Sequence, residues 1–387
     1  MLSSTYTYNK HLLFWACCAG LLLFGVALVT LGTLALDLRL AFGLDGLSAG
    51  SLYSVMPLGI LAGSLLFGPV SDRYGYKILL TLSSLGLFAG FRGIAGAETL
   101  WGLKAGVFCF GLAGGVMNGA TNAVVADISA RGKGASLSLL GVAFGIGALA
   151  MPQVMGELKK FYHWRDILSG VGALTLGLAA MFALLRFPPP KQTTGFPLLQ
   201  SRRLLTDLTL LLIGGFLFFQ SSFESIINNW TTAYLTTGHA LDEREALYGL
   251  SLHVAGLTVM RLLAGSVFRN VPPKQMLAVS LLLIPAGLLL LKTGGGFLPA
   301  ASGLVLLGAG LAGGFPIMLG YVGERYTGMS GTAFSIVLAI ALIGNMLVNV
   351  LMGWLVQEMG VQILTTAALV EWGAMLILGG AIVKRLE

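Results

Sequence analysis

Charge is scarce in this chain: Asp, Glu, Lys and Arg make up 10% of its 387 residues, against 56% hydrophobic residues. A soluble domain carries roughly 25% charge, so the composition excludes a water-soluble globular fold. Cysteine is equally sparse. Cys17, Cys18 and Cys109 lie inside apolar runs, with neither metal-site nor disulfide spacing, and read as small packing residues. No Gly-rich phosphate loop ending in Lys-Ser/Thr and no His-Glu-x-x-His pair occurs, which argues against an ATP-driven pump and a zinc protease. Gly46-Leu-Ser-Ala-Gly50 formally matches a hydrolase elbow, but it follows a short loop and opens an apolar run, where Ser48 is a natural helix cap. A polytopic membrane enzyme is therefore disfavoured, no cofactor is expected, and no filter repeat speaks for a channel.

Long apolar runs are what the chain has instead. A helix needs roughly 20 apolar residues to cross the hydrocarbon core, so this length holds about twelve crossings joined by short loops. The spacing predicts helices over 12–41, 48–70, 77–97, 100–126, 134–156, 165–187, 207–235, 247–269, 275–294, 298–322, 332–356 and 361–384. The first run, Leu12 to Leu36, exceeds the roughly 7–15 residues of a signal-peptide core and reads as a retained helix. The net charge of +7 follows the loops. With the amino terminus inside, Lys10, Arg73, Lys77, Arg131, Lys133, Arg186, Lys191, Arg202, Arg203, Arg269, Lys274, Arg325, Lys384 and Arg385 all fall on one side, fewer basic residues on the other. Both ends are therefore expected to be cytoplasmic, in a bacterial inner membrane, with the lipid bilayer and not nucleic acid as the basic residues' partner. A monomer is expected.

Pro188, Pro189 and Pro190 break the chain near its middle, giving an N-terminal six-helix bundle over 1–187, a cytoplasmic linker over 188–206 and a C-terminal six-helix bundle over 207–387. The halves share a register. One offset of 197 residues superposes Gly68 on Gly265, Lys77 on Lys274, Gly90 on Gly287, Ser138 on Ser335, Gly147 on Gly344 and Gly156 on Gly353. The fold class expected is an all-α membrane protein of about 12 transmembrane helices in two pseudo-symmetric six-helix repeats of like orientation. That arrangement suits a carrier whose halves rock about a central cavity.

Between the second and third spans runs Gly68-Pro-Val-Ser-Asp-Arg-Tyr-Gly-Tyr-Lys77, which resembles the cytoplasmic loop signature of the major facilitator superfamily. The resemblance implies a gating role for Gly68, Asp72, Arg73, Gly75 and Lys77, with Gly75 making the turn. The second-half counterpart, Arg261-Leu-Leu-Ala-Gly265, has lost the aspartate, and Arg261 reads as a gate or interface residue. Within the superfamily the chain resembles the fucose/glucose-galactose porters, through Gln220-Ser-Ser-Phe-Glu224, Asn228, Asn229 and Trp230 on the seventh span and Asn118-Gly-Ala-Thr-Asn122 on the fourth. Where those porters carry acids on spans four and one, this chain has Asn118 and Gly32, so their two-carboxylate proton coupling does not carry over.

An ionised carboxylate at mid-bilayer costs roughly 2.5–3.5 kcal/mol on insertion scales, so Glu224 becomes the leading candidate for substrate binding and proton coupling. Asn118, Asn122, Gln220, Asn228, Trp230 and Tyr321 offer the amides and ring faces that a sugar needs. Asp37 and His253 are further proton-coupling candidates, though His253 also suits packing. Asn345 and Asn349 suit helix packing, and Glu371 a structural or interface role. Gly141, Gly145, Gly147, Pro152 and Gly156 on the fifth span loosely match an antiporter pattern in a different order and read as packing residues. The expectation is a secondary transporter working by alternating access, taking up a sugar or similar small polar solute with possible proton symport. Proton-antiport efflux of drugs or hydrophobic metabolites is the alternative.

Overall fold

The computed structural model describes residues 8–129, 133–188, 204–326 and 330–386, and among them every regular element is helical. The helices in chain order are α1 Lys10–Thr33, α2 Ala35–Phe42, α3 Gly46–Tyr74, α4 Tyr76–Ala95, α5 Leu100–Ile128, α6 Lys133–Leu158 and α7 Trp164–Leu184. They continue with α8 Leu208–Ala233, α9 Glu243–Gly265, α10 Pro273–Thr293, α11 Phe297–Leu311, α12 Gly314–Arg325, α13 Ser330–Met359 and α14 Ile363–Leu386. A single π-turn, Tyr234–Gly238, ends α8. Twelve of the spans are long and apolar enough to cross a membrane, as the hydropathy pattern requires. Most of the linker over 188–206 lies outside the described residues.

By contacts the chain forms two compact units, Met1–Thr30 with Leu58–Thr194, and Leu31–Pro57 with Gly195–Glu387. In the first, α4 packs on α5 and α7, and α6 joins both α5 and α7. In the second, α8 is central, touching α13, α14, α9, α12 and the short α2, while α11 packs on α9 and α10.

The repeat seen in the sequence is expressed in these contacts. A Cβ added at Gly59 would stand 2.5 Å from the Phe108 carbonyl oxygen, and one added at Gly256 would stand 2.3 Å from that of Val305. Both members of this pair are related by the same 197-residue offset. Gly90 against Phe110 and Gly287 against Leu307 obey it too. Within each unit, then, glycine lets equivalent helices approach backbone to backbone, the close packing that small residues give in a bilayer. Gly147 packs in this way, its added Cβ falling 1.9 Å from the Leu22 carbonyl oxygen, whereas Gly141 meets nothing within 4 Å.

Four boundaries differ from the sequence expectation. The first span breaks at Leu34, between α1 and α2, and the tenth breaks between α11 and α12. Each break sits at a carbonyl taken by an α8 side chain: Thr232 Oγ1 donates to Gly32 O at 3.0 Å, and Gln220 Nε2 to Leu311 O at 2.8 Å. A carbonyl engaged from outside weakens its claim on the helical ladder, and the helix bends there. Asp45, and not Ser48, caps α3, its Oδ1 accepting from Ser48 N at 2.7 Å; the Ser48 hydroxyl first, and this backbone amide with it, hold the Asp45 carboxyl below its ordinary value. The ninth helix opens earlier than hydropathy suggests, because Asp242 and Glu245 form a capping box.

Candidate functional site: the polar stripes of α8

With 3.6 residues per turn, positions four apart share a helix face. The polar residues of α8 therefore form distinct stripes: Gln220, Glu224 and Asn228; Ser221, Ser225 and Asn229; and, next to them, Ser222.

The first stripe carries the charge. Glu224 Oε2 lies 3.9 Å from Arg261 Nη2 of α9, with side chains 21% and 34% exposed. This distance is an ion pair without a hydrogen bond. Arg261 Nε is buried and has no hydrogen-bond partner among the described residues. Gln220 is fully buried at the α11–α12 break, and its Oε1 has no partner among the described residues. Asn228 Oδ1 is likewise buried without a partner among the described residues, and Asn228 lies beside the α1 break, where its carbonyl oxygen would stand 1.9 Å from a Cβ added at Gly32.

The second stripe is a zip to α13. Asn349 Nδ2 donates to Ser225 Oγ at 2.7 Å and to Asn345 Oδ1 at 3.1 Å, while Asn229 Nδ2 donates to Asn349 Oδ1 at 3.1 Å. Asn345 Nδ2 reaches Ser221 Oγ at 3.5 Å. Apart from the Asn349–Asn345 contact inside α13, each of these bonds joins α8 to α13, the packing use read for Asn345 and Asn349. The i, i+4 recurrence of Ser221, Ser225 and Asn229 was the sequence signal for it.

The remaining candidates stand as follows. Trp230 is buried in edge contact with Tyr53, their ring centroids 5.4 Å apart, and its Nε1 has no partner among the described residues. On α5, Asn122 Nδ2 donates to Asn118 O at 2.8 Å and Oδ1 at 3.1 Å, a one-turn amide pair. His253 is wholly buried, Nδ1 3.3 Å from Leu304 O, an interhelical position. Tyr321 is half-buried on α12, and Asp37 half-buried in the first turn of α2. Gly75 takes φ +79° as the sole residue between α3 and α4, a left-handed conformation that favours glycine. Lys77 is exposed in the first turn of α4. The side chains of Gly68, Asp72 and Arg73 lie outside the described residues. Their backbone completes α3, so the loop expected over these positions shortens to Gly75 alone.

Three contacts at helix ends carry no signal in the sequence. Tyr76 OH donates to Asp127 Oδ2 at 2.9 Å, joining α4 to α5. Asp207 caps α8 and accepts from Tyr326 OH at 2.7 Å, while Arg385 Nε donates to Thr209 Oγ1 at 2.9 Å. Burial pushes the Asp207 carboxyl up, but the Tyr326 hydroxyl, the Leu210 and Thr209 amides and the Arg325 charge outweigh it and hold the carboxyl below its ordinary value. Burial and the Asp207 carboxylate push the Tyr326 phenol up to about 12.

The family model described as Major Facilitator Superfamily matches residues 15–327. The 4-hydroxybenzoate transporter PcaK of Pseudomonas aeruginosa is 30% identical over 42% of this chain and 37% of its own length. The D-xylose transporter of Levilactobacillus brevis is 31% identical over 31% of this chain and 26% of its own length. The chain thus spans less than two fifths of either relative. Among solved structures, the nucleoside transporter NupG superposes with a TM-score of 0.79 at 16% identity, over 98% of this chain and 99% of that one. The xylose transporter XylE from E. coli, in its inward-open conformation, superposes with a TM-score of 0.78 at 14% identity, over 96% and 95%. At these identities the likeness is one of fold.

Proposed function

Because the chain belongs to the Major Facilitator Superfamily, we propose that it takes up a sugar or similar small polar solute by alternating access, with proton coupling through Glu224. It is a transporter and not an enzyme, and an integral membrane protein of twelve apolar spans. The observation that carries the solute site is the Glu224–Arg261 pair: two opposite charges at 3.9 Å, both partly exposed, on the stripe that also holds Gln220 and Asn228. An intramembrane charge is expensive unless it is used, and a loose pair can release either partner to a solute or a proton.

A sugar is favoured by the amides of Asn118, Asn122, Gln220 and Asn228 with the rings of Trp230 and Tyr321, and by the resemblance to the fucose/glucose-galactose porters. Gly68, Asp72, Arg73, Gly75 and Lys77 form the gate, on the side where both termini lie, the cytoplasmic face of a bacterial inner membrane. The carrier works as a monomer. One observation supports a second reading: the unpartnered Nε of Arg261 suits a carboxylate, the group borne by the solute in the name of the 4-hydroxybenzoate transporter.

The test is uptake into liposomes holding the purified protein, with L-fucose, D-glucose, D-galactose, D-xylose and 4-hydroxybenzoate as labelled probes. Saturable uptake of a sugar supports the first reading. Saturable uptake of 4-hydroxybenzoate alone replaces it with the second.

A further inference from the structure

Glu371 lies in the middle of α14, buried, with its carboxyl against α8. Ser222 Oγ is 2.5 Å from Glu371 Oε1, 2.9 Å from Phe218 O and 3.1 Å from Phe219 O. A hydroxyl has one proton to donate. Other hydroxyls of this chain spend theirs on the carbonyl four residues back, as Thr30, Ser84 and Thr121 do. If Ser222 does the same, the contact with Glu371 needs its proton from the carboxyl.

The surroundings agree. Glu371 Oε2 is buried with no partner among the described residues, and no cation among them meets the carboxyl. The charged and titratable groups on the helices packed against α14 stand elsewhere. On α8, Glu224 pairs with Arg261 and Asp207 caps the helix start. On α10, Lys274 and Lys292 lie in the first and last turns. Glu358 ends α13, and Lys384 and Arg385 occupy the last turn of α14 itself. A bare carboxylate with an empty oxygen in this setting would carry the desolvation cost of an unpaired buried charge, whereas a neutral acid giving one hydrogen bond costs little.

From this geometry we propose that Glu371 is a proton-binding site separate from the Glu224–Arg261 stripe: a neutral carboxylic acid whose proton bridges to Ser222 and fastens α14 to α8. Loss of that proton leaves a carboxylate facing a hydroxyl whose own proton is engaged, and the contact loosens. The C-terminal helices thereby gain a pH-sensitive fastening that does not depend on what the protein carries.

Infrared spectroscopy of the purified protein in lipid tests this without any solute, so failure of the sugar reading leaves the test standing. At neutral pH the wild type should show a protonated-carboxyl C=O band that Glu371→Gln removes and Ser222→Ala shifts. As the pH is raised, the wild-type melting temperature should fall as that band disappears, while Glu371→Gln, a permanent stand-in for the neutral acid, keeps its melting temperature. A protonated-carboxyl spectrum left unchanged by Glu371→Gln, or one parallel pH profile for both proteins, overturns the proposal. Should Glu371→Gln fail to fold, an unshifted band in Ser222→Ala overturns it equally.

Discussion

Arg261 and Glu224 face each other across α9 and α8 at 3.9 Å, close enough to neutralise one another and too far apart to share a hydrogen bond. Removing one partner strands the other. Breaking exposed pairs costs up to about 1 kcal/mol and breaking buried ones about 3–5 kcal/mol, and this partly exposed pair falls between. Glu224→Gln and Arg261→Gln are each expected to lower the melting temperature, and the double variant to lie nearer the wild type than their sum. Thermal unfolding in detergent checks the cycle; strict additivity would show that the two charges do not interact.

Gln220 should behave differently, because its amide satisfies a helix carbonyl. Gln220→Leu leaves Leu311 O unpaired in the break, and a buried group left so costs about 1–3 kcal/mol. The expected result is a destabilised protein, read by melting temperature, and unchanged stability would assign the α11–α12 break to another cause.

The glycine contacts give a paired expectation. Gly59→Ala and Gly256→Ala put a methyl against a backbone carbonyl at equivalent points of the two repeats, and both should destabilise. Gly141→Ala meets nothing within 4 Å and should be neutral, or stabilising by about 0.4–1 kcal/mol through the unfolded chain. Melting temperatures of the three variants check the ranking.

Much of this architecture could be read from the chain alone. Periodic apolar runs fixed the spans, and the alignment of Gly90 with Gly287 anticipated the shared packing at Phe110 and Leu307. The helix breaks could not be read, because Thr232 and Gln220 reach across sequence separations of 200 and 91 residues to take a carbonyl. Glu224 stood out by the cost of its charge. Its relation to Arg261 did not, since Arg261 sits late in α9 by sequence and only the helix crossing brings the two together. Asp207 opens the predicted span over 207–235, but nothing in the sequence pairs it with Tyr326, 119 residues further on.

That last contact carries a pH dependence with a definite sign. The Asp207 carboxyl is held below its ordinary value, so its contribution is present above the unfolded-chain value of about 3.9 and is lost as pH falls through the lower folded value. Tyr326, pushed up to about 12, contributes fully below about 10 and loses that contribution as pH rises through its folded value. Tyr326→Phe removes a hydrogen bond to a charged acceptor, worth about 1.5–3 kcal/mol before allowance for its partial exposure. The variant should melt earlier at neutral pH and converge on the wild type in acid; a gap independent of pH would remove Asp207 from the explanation.

The most direct measurement is solute accumulation in proteoliposomes under an imposed pH gradient, set beside counterflow exchange without one, for the wild type and Glu224→Gln. With Glu224 as the proton-coupling group, the variant should still exchange solute while its gradient-driven accumulation falls to the level of protein-free liposomes. Accumulation by Glu224→Gln equal to that of the wild type would contradict that assignment.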